Sequence, residues 1–171
     1  SPPGEIATGT VRFQGRDLYQ MPDKEIREIR GQNIAMVFQE PMNALNPVFT
    51  VGSQIGDALR TNMGMSKQEA RERTIEMLQL VGIPSPNDRV DNYVHECSGG
   101  MRQRVMLAMA LSCDPTFLIA DEPTTALDVT IQAVILELIT SMIERFDMSL
   151  LFITHNLGVV AHACDKIGVM Y

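Results

Sequence analysis

No stretch of this chain approaches the roughly 20 consecutive apolar residues that a helix needs to cross a bilayer. The most tempting run, from Val105 to Cys113, is bracketed by Arg104 and Asp114. Lysine and arginine form no cluster, and 14 basic against 21 acidic residues leave a formal charge of −7. A surface that grips nucleic acid must neutralise phosphates with cations, so no nucleic-acid partner is expected. Cysteine is scarce: Cys97, Cys113 and Cys164 are odd in number and widely spaced, with no C-x-x-C. That argues against a disulfide framework or a zinc site and fits a reducing compartment. Internal repeats and low-complexity tracts are absent too. What is present is 171 residues with an ordinary apolar content of 45%, enough for one domain with a core.

Two segments carry chemistry. In Cys97-Ser98-Gly99-Gly100-Met101-Arg102-Gln103-Arg104 a serine and two glycines open an amphipathic segment. Free backbone N–H groups and the helix dipole converge at such a start and suit an anion. In Phe117-Leu118-Ile119-Ala120-Asp121-Glu122 an apolar strand runs into two carboxylates, a place to hold a hydrated metal ion and an attacking water. Alone, the first is an ordinary helix cap and the second an ordinary solvated loop. Together they read as phosphate handling.

Periodicity and punctuation predict the order of parts. Residues 10–13 read as a short strand followed by a Gly-Arg-Asp turn, 23–30 as a charged helix, and 34–38 as an apolar strand ending at Gln39. Residues 41–47 read as loop, with Asn43, Asn46 and Pro47 as turn formers. Helical patterns follow over 51–63 and 67–81; Ser66 with Glu69 makes a capping box and Gly82 with Pro84 the stop. Ala70, Thr74, Leu78 and Val81 line one face of that second helix. After a Pro/Asn/Asp-rich connection, Ser98 caps a helix to about Ser112 with a stripe of Val105, Ala108, Met109 and Ser112. Then come a buried strand over 117–120, a long helix over 129–146 capped by Asp128, and a buried strand over 150–154. A short helix capped by Asn156 and a last strand over 167–170 complete the order. Alternating strands and helices imply a parallel sheet covered on both faces.

The ordered set resembles the ABC-type ATPases. Residues 98–104 resemble their signature motif, and 117–122 their Walker B strand with its catalytic glutamate. Ala126-Leu127-Asp128 resembles the D-loop, Val37-Phe38-Gln39-Glu40-Pro41 the Q-loop, and Ile153-Thr154-His155 the switch histidine. The five fall in the family's order over nearly the whole chain. Residues 40–47 and 121–130 look most like the ATP-binding subunits of dipeptide and oligopeptide importers, a subfamily that includes nickel importers. The resemblance implies an α/β fold: a P-loop NTPase (ABC ATPase) core with a mostly parallel sheet plus a helical subdomain. The core would be drawn from about 1–50 and 114–171, and the subdomain, with the signature helix, from about 51–113.

The same resemblance implies ATP and Mg²⁺ as cofactors. Asp121 would hold Mg²⁺ through water, Gln39 would contact Mg²⁺ or the lytic water, Glu122 would polarise that water, and His155 would bond the γ-phosphate. Ser98, Gly99, Gly100, Gln103 and Asp128 would face nucleotide. The signature would act in trans on ATP held by a second ATPase subunit, identical or different, arranged head to tail. Transmembrane permease subunits and, indirectly, a periplasmic or extracellular solute-binding protein are the implied partners. The implied location is peripheral, on the cytoplasmic face of the cell (inner) membrane. Three positions depart from the family: Cys97 stands where leucine is usual, Val94 where these importers tend to have proline, and Asn156 where aspartate follows the histidine.

The chain contains no Gly-Lys pair, hence no G-x-x-x-x-G-K-[ST] to cradle phosphates. The expectation is therefore an internal segment of a longer transport ATPase, incomplete at both ends. By itself it is expected neither to bind MgATP tightly nor to hydrolyse it, and to fold poorly. The alternatives are a non-hydrolytic trans-acting module or degenerate fragment, and a non-transport ABC ATPase.

Overall fold

The computed structural model describes residues 8–40, 44–124, 128–156, 158 and 164–170. A small antiparallel hairpin comes first, β1 (Arg12–Phe13) against β2 (Arg16–Asp17). Gln14 and Gly15 join them with φ of 49° and 79°, the left-handed pair that a two-residue hairpin turn demands. The first strand is thus shorter than expected, and residues 16 and 17, expected in a turn, form its partner. Helix α1 (Asp23–Gln32) starts with Asp23 and Glu25, which suit its positive end, and breaks at Arg30 and Gly31. There the chain turns directly into the central sheet.

That sheet is parallel, in the order β3 (Ile34–Val37), β4 (Phe117–Asp121), β5 (Ser149–Ile153). Ile34 pairs with Phe117 and Phe117 with Ser149, so the three strands end level. Ala35, Val37, Leu118 and Ala120 face the core and are buried. On the other face Met36 and Leu151 are exposed, and Ile153 is 43% exposed. The expectation of two fully buried strands at 117–120 and 150–154 is corrected accordingly. In β4 burial alternates, and β5 alternates between exposed and half-buried. The reason is that among the described residues no strand pairs with the free side of β5 and no layer covers the Met36 and Leu151 face.

From residue 51 to 111 the chain is helical: α2 (Val51–Met63), α3 (Lys67–Leu80), short α4 (Pro86–Arg89) and α5 (Gly99–Leu111). Thr50 caps α2, and Gly64, at φ 67°, closes it. Ser66 and Glu69 form the expected reciprocal box on α3. Ala70, Thr74, Leu78 and Val81 are all buried. The Pro/Asn/Asp-rich connection contains α4 and a 3-10 turn at Val94–Glu96. Gly52 opens α2 against the end of α4: its N–H donates to the Val90 carbonyl at 2.7 Å, and a Cβ there would lie 2.6 Å from the same oxygen.

Helix α5 differs from its expected single stripe. Gln103, Val105, Met106, Leu107, Ala108 and Leu111 are all buried, because α5 lies between β3 on one side and α2 and α3 on the other, with α6 (Val129–Phe146) also against it. Only a narrow side, with Arg102 and Met109, is left half-buried. The expected strand over 167–170 does not form; Ile167, Val169 and Met170 are exposed, and no strand among the described residues takes up their backbone hydrogen bonds. Asn156 Oδ1 accepts from the Gly158 N–H at 3.0 Å. The rest of the short helix expected there lies outside the described residues, as do 41–43 of the expected loop and 126–127 of the D-loop.

Ion pairs tie the helical part together, among them Arg71 with Asp91 and Arg73 with Asp114. Arg71 on α3 donates from both guanidinium nitrogens to Asp91 beyond α4, at 2.8 and 2.7 Å. Those hydrogen bonds hold the Asp91 carboxyl below its ordinary 3.8. A carboxylate with a lowered folded value stabilises the fold above its unfolded value and loses that contribution as pH falls through the folded one. The thermal midpoint is therefore expected to fall more between pH 5 and pH 3 in the wild type than in Asp91→Asn. The difference should stay below about 1 kcal/mol, because the pair is exposed. Equal slopes in a low-salt melting series would show that the pair contributes nothing.

Candidate functional site

Three of the expected site residues meet at the carboxyl ends of three adjacent strands. Gln39 follows β3, Glu122 follows β4 and His155 follows β5. Because the strands are parallel and end level, the three side chains emerge at one edge. The Gln39 Nε2 donates to Glu122 Oε2 at 3.0 Å, and the His155 Nδ1–H donates to Glu122 Oε1 at 2.9 Å. Both carboxylate oxygens are thus engaged. Glu122's side chain is 24% exposed and that of His155 76%, so the carboxylate sits at the floor and the imidazole at the rim.

The backbone at Glu122 is unusual. Its φ is 44°, a left-handed conformation that costs an ordinary side chain about 1 kcal/mol, and Pro123 disfavours the right-handed helical alternative. Three bonds hold this corner. The Glu122 N–H donates to the Ile153 carbonyl at 2.9 Å. The Gln103 Nε2, on α5, donates to the Pro123 carbonyl. The Gln132 Nε2, on α6, donates to Thr124 Oγ1 at 3.1 Å. Strain of this kind persists where surrounding contacts over-determine it.

Asp121, the last residue of β4, lies on the open face in register with Ile153 and is half-buried. Among the described residues no group of three His, Cys, Asp or Glu side chains could hold a metal ion alone. Mg²⁺ bound together with phosphates needs one or two carboxylates and hard oxygen donors. Asp121 and the amide oxygen of Gln39 are donors of that class, so the residues present fit the ion.

Ser98, Gly99 and Gly100 sit at the start of α5. Ser98 Oγ accepts from the Met101 N–H at 3.4 Å, and the N–H groups of Gly99 and Gly100 have no intrahelical acceptor. Gly100 packs on the start of α6, where an added Cβ would lie 3.3 Å from Ile131 Cγ2. Asp128 caps α6, its Oδ1 accepting from the Ile131 N–H at 3.0 Å. The two helix starts are therefore neighbours. The rest of the signature is structural: Arg102 donates to the Val94 and His95 carbonyls, and Arg104 to those of Val81 and Gly82. Cys97 is buried, and burial pushes its thiol up. No redox chemistry is called for there.

Gln103 departs from its expected nucleotide-facing place. It is 2% exposed, with its amide committed to Pro123. Gln132 and Thr124 were not singled out by sequence. Nothing in the pattern distinguishes Gln132, four residues into a helix, from any polar position on a first turn.

A model of the ABC transporter family matches residues 3–125. The dipeptide transport ATP-binding protein DppD of Bacillus subtilis is 54% identical over 167 residues, covering 98% of this chain and 50% of that protein. The oligopeptide transport ATP-binding protein OppD of the same organism is 53% identical over 170 residues, 99% of this chain and 48% of that protein. The chain thus spans about half the length of the curated relatives it matches. Among solved structures, a dimeric bacterial ABC transporter cassette, MJ0796, superimposes with a TM-score of 0.79 at 28% identity. That match covers 92% of this chain and 67% of the other. The same cassette in a post-hydrolysis state bound to ADP and Pi gives 0.77 at 28% identity, over 90% and 65%. The fold is accordingly the α/β fold of these cassettes.

Proposed function

The chain belongs to the ABC transporter family, and on that premise we propose that it acts within an ATP-binding subunit that energises import of dipeptides or oligopeptides. The observation that carries the reading is the Gln39, Glu122 and His155 cluster at one sheet edge. Phosphoryl transfer to water needs positioning and electrostatic help more than covalent chemistry, and a carboxylate flanked by an amide and an imidazole supplies both. Glu122 orients and polarises the attacking water, His155 reaches toward the γ-phosphate, and Gln39 senses the same region. Asp121 and Gln39 would hold Mg²⁺, which when bound neutralises charge on the phosphates. Ser98, Gly99, Gly100 and Asp128, at two adjacent helix starts, suit the nucleotide of a second ATPase subunit packed head to tail.

In this reading residues 51–113 act as a helical subdomain that transmits motion to transmembrane permease partners, and the remainder as the nucleotide-binding core. The subunit works peripherally at the cytoplasmic face of the membrane, fed with solute by an external binding protein. These 171 residues have no Gly-Lys pair, so the segment alone does not turn over ATP. The test is uptake of labelled di- and oligopeptides by the full-length protein reconstituted with its permease partners in vesicles. ATP-dependent uptake, competed by unlabelled peptide, is expected. ATP hydrolysis without peptide competition would move the solute assignment elsewhere, and no hydrolysis at all would end the ATPase reading.

A further inference from the structure

Gln103, expected to face nucleotide, is instead turned into the interior. It is 2% exposed, on a helix whose other buried residues are all hydrophobic. A buried amide costs free energy unless it is bonded, and its donor goes to one acceptor, the carbonyl of Pro123. That carbonyl follows immediately on Glu122, whose backbone is held at φ 44°. Five residues before Gln103, the same helix begins at Ser98. We propose that Gln103 is a positioning residue that ties α5, and with it the Ser98-Gly99-Gly100 turn, to the Glu122 carboxylate of the same chain.

Glu122 is fixed on its own strand side by the bond from its N–H to Ile153. The Gln103 bond holds the Pro123–Thr124 peptide, one further along, from the opposite element. With both in place, the left-handed corner aims the carboxylate at Gln39 and His155. Without the Gln103 donor, the Pro123–Thr124 peptide loses its tie to α5, and the corner that keeps Glu122 at its left-handed φ is held less tightly. A shift or rotation of α5 when its first turn meets a ligand is passed by one rigid amide to the residue that polarises water. Gln132 secures Thr124 from α6, so the corner keeps an anchor when Gln103 is changed.

This inference rests on the ATPase reading, and the test separates the two. The full-length protein, assembled with its permease partners, is compared with Gln103→Met, which keeps the length, suits the apolar surroundings and removes the donor. Turnover is expected to fall between about tenfold and a hundredfold, with the KM for ATP changed less than about twofold, since a positioning residue acts on the reaction rather than on binding. Gln103→Glu carries a donor only when its carboxyl is protonated, the form that burial favours. Its turnover relative to wild type should therefore rise as pH falls from 8 to 6, with no such rise for Gln103→Met. Amide exchange at Glu122 should quicken in Gln103→Met while the interior of α5 stays protected. Unchanged turnover and exchange in Gln103→Met overturn the proposal. So does a rise in KM that accounts for the whole loss, which would make Gln103 a ligand contact. If Gln103→Met does not fold, the pH profile of Gln103→Glu decides, a flat ratio to wild type counting against. A wild type that does not hydrolyse ATP defeats the ATPase reading instead.

Discussion

Glu122→Gln in the full-length protein is expected to lower ATP turnover by about a hundredfold to ten-thousandfold, the range for loss of a general base, while MgATP binding stays within a few-fold of wild type. Glutamine has the size of glutamate and keeps an oxygen to accept from Gln39 Nε2, now at 3.0 Å from the carboxylate. Its amide nitrogen can face His155 if the imidazole takes the tautomer with Nδ1 unprotonated. The geometry thus survives and the negative charge does not. Turnover and equilibrium nucleotide binding, measured on one preparation, separate the two effects. Turnover within threefold of wild type would remove Glu122 from its role.

Leu111→Ala is expected to destabilise the protein by about 3 kcal/mol, within the 2 to 5 found for such truncations. Leu111 is fully buried at the end of α5, the helix that meets β3, α2, α3 and α6. A cavity there has no single neighbour able to collapse into it. Against a typical total of about 5 to 15 kcal/mol, the loss should shift the urea midpoint strongly with little change in slope. A change under about 1 kcal/mol would mean that α5 is not the central support of the fold. Glu122→Gln should leave that midpoint nearly unmoved, so the two variants divide chemistry from support.

What could be read from the sequence was mostly what is local. The capping box of Ser66 and Glu69, the Ser98 and Asp128 caps and the apolar face of α3 are written in neighbouring residues. They formed as expected. The ends of the strands followed too, because Gln39, Glu122 and His155 each close an apolar run. Burial was less legible. A run such as Leu150-Leu151-Phe152-Ile153 looks like a fully buried strand, yet what covers it is decided by elements far away in sequence. Among the described residues no strand pairs with the free side of β5, and Leu151 is exposed. The burial of α5 on more than one face was hidden for the same reason, since Gln103 and Arg104 make its sequence look amphipathic. The partner of Gln103 lies 20 residues away, at a distance that no helical or strand period reaches.

The bond from Glu122 N–H to Ile153, with His155 two residues further on, closes a ring. It runs from the Glu122 backbone across to Ile153, through Thr154 to His155, and back through the imidazole to the Glu122 carboxylate. Two hydrogen bonds and a few covalent links make up its circumference. If the imidazole swings away, it remains tethered to the same small circle, at a high effective concentration relative to its acceptor. Release of His155 from Glu122 is then a brief local excursion with a built-in return.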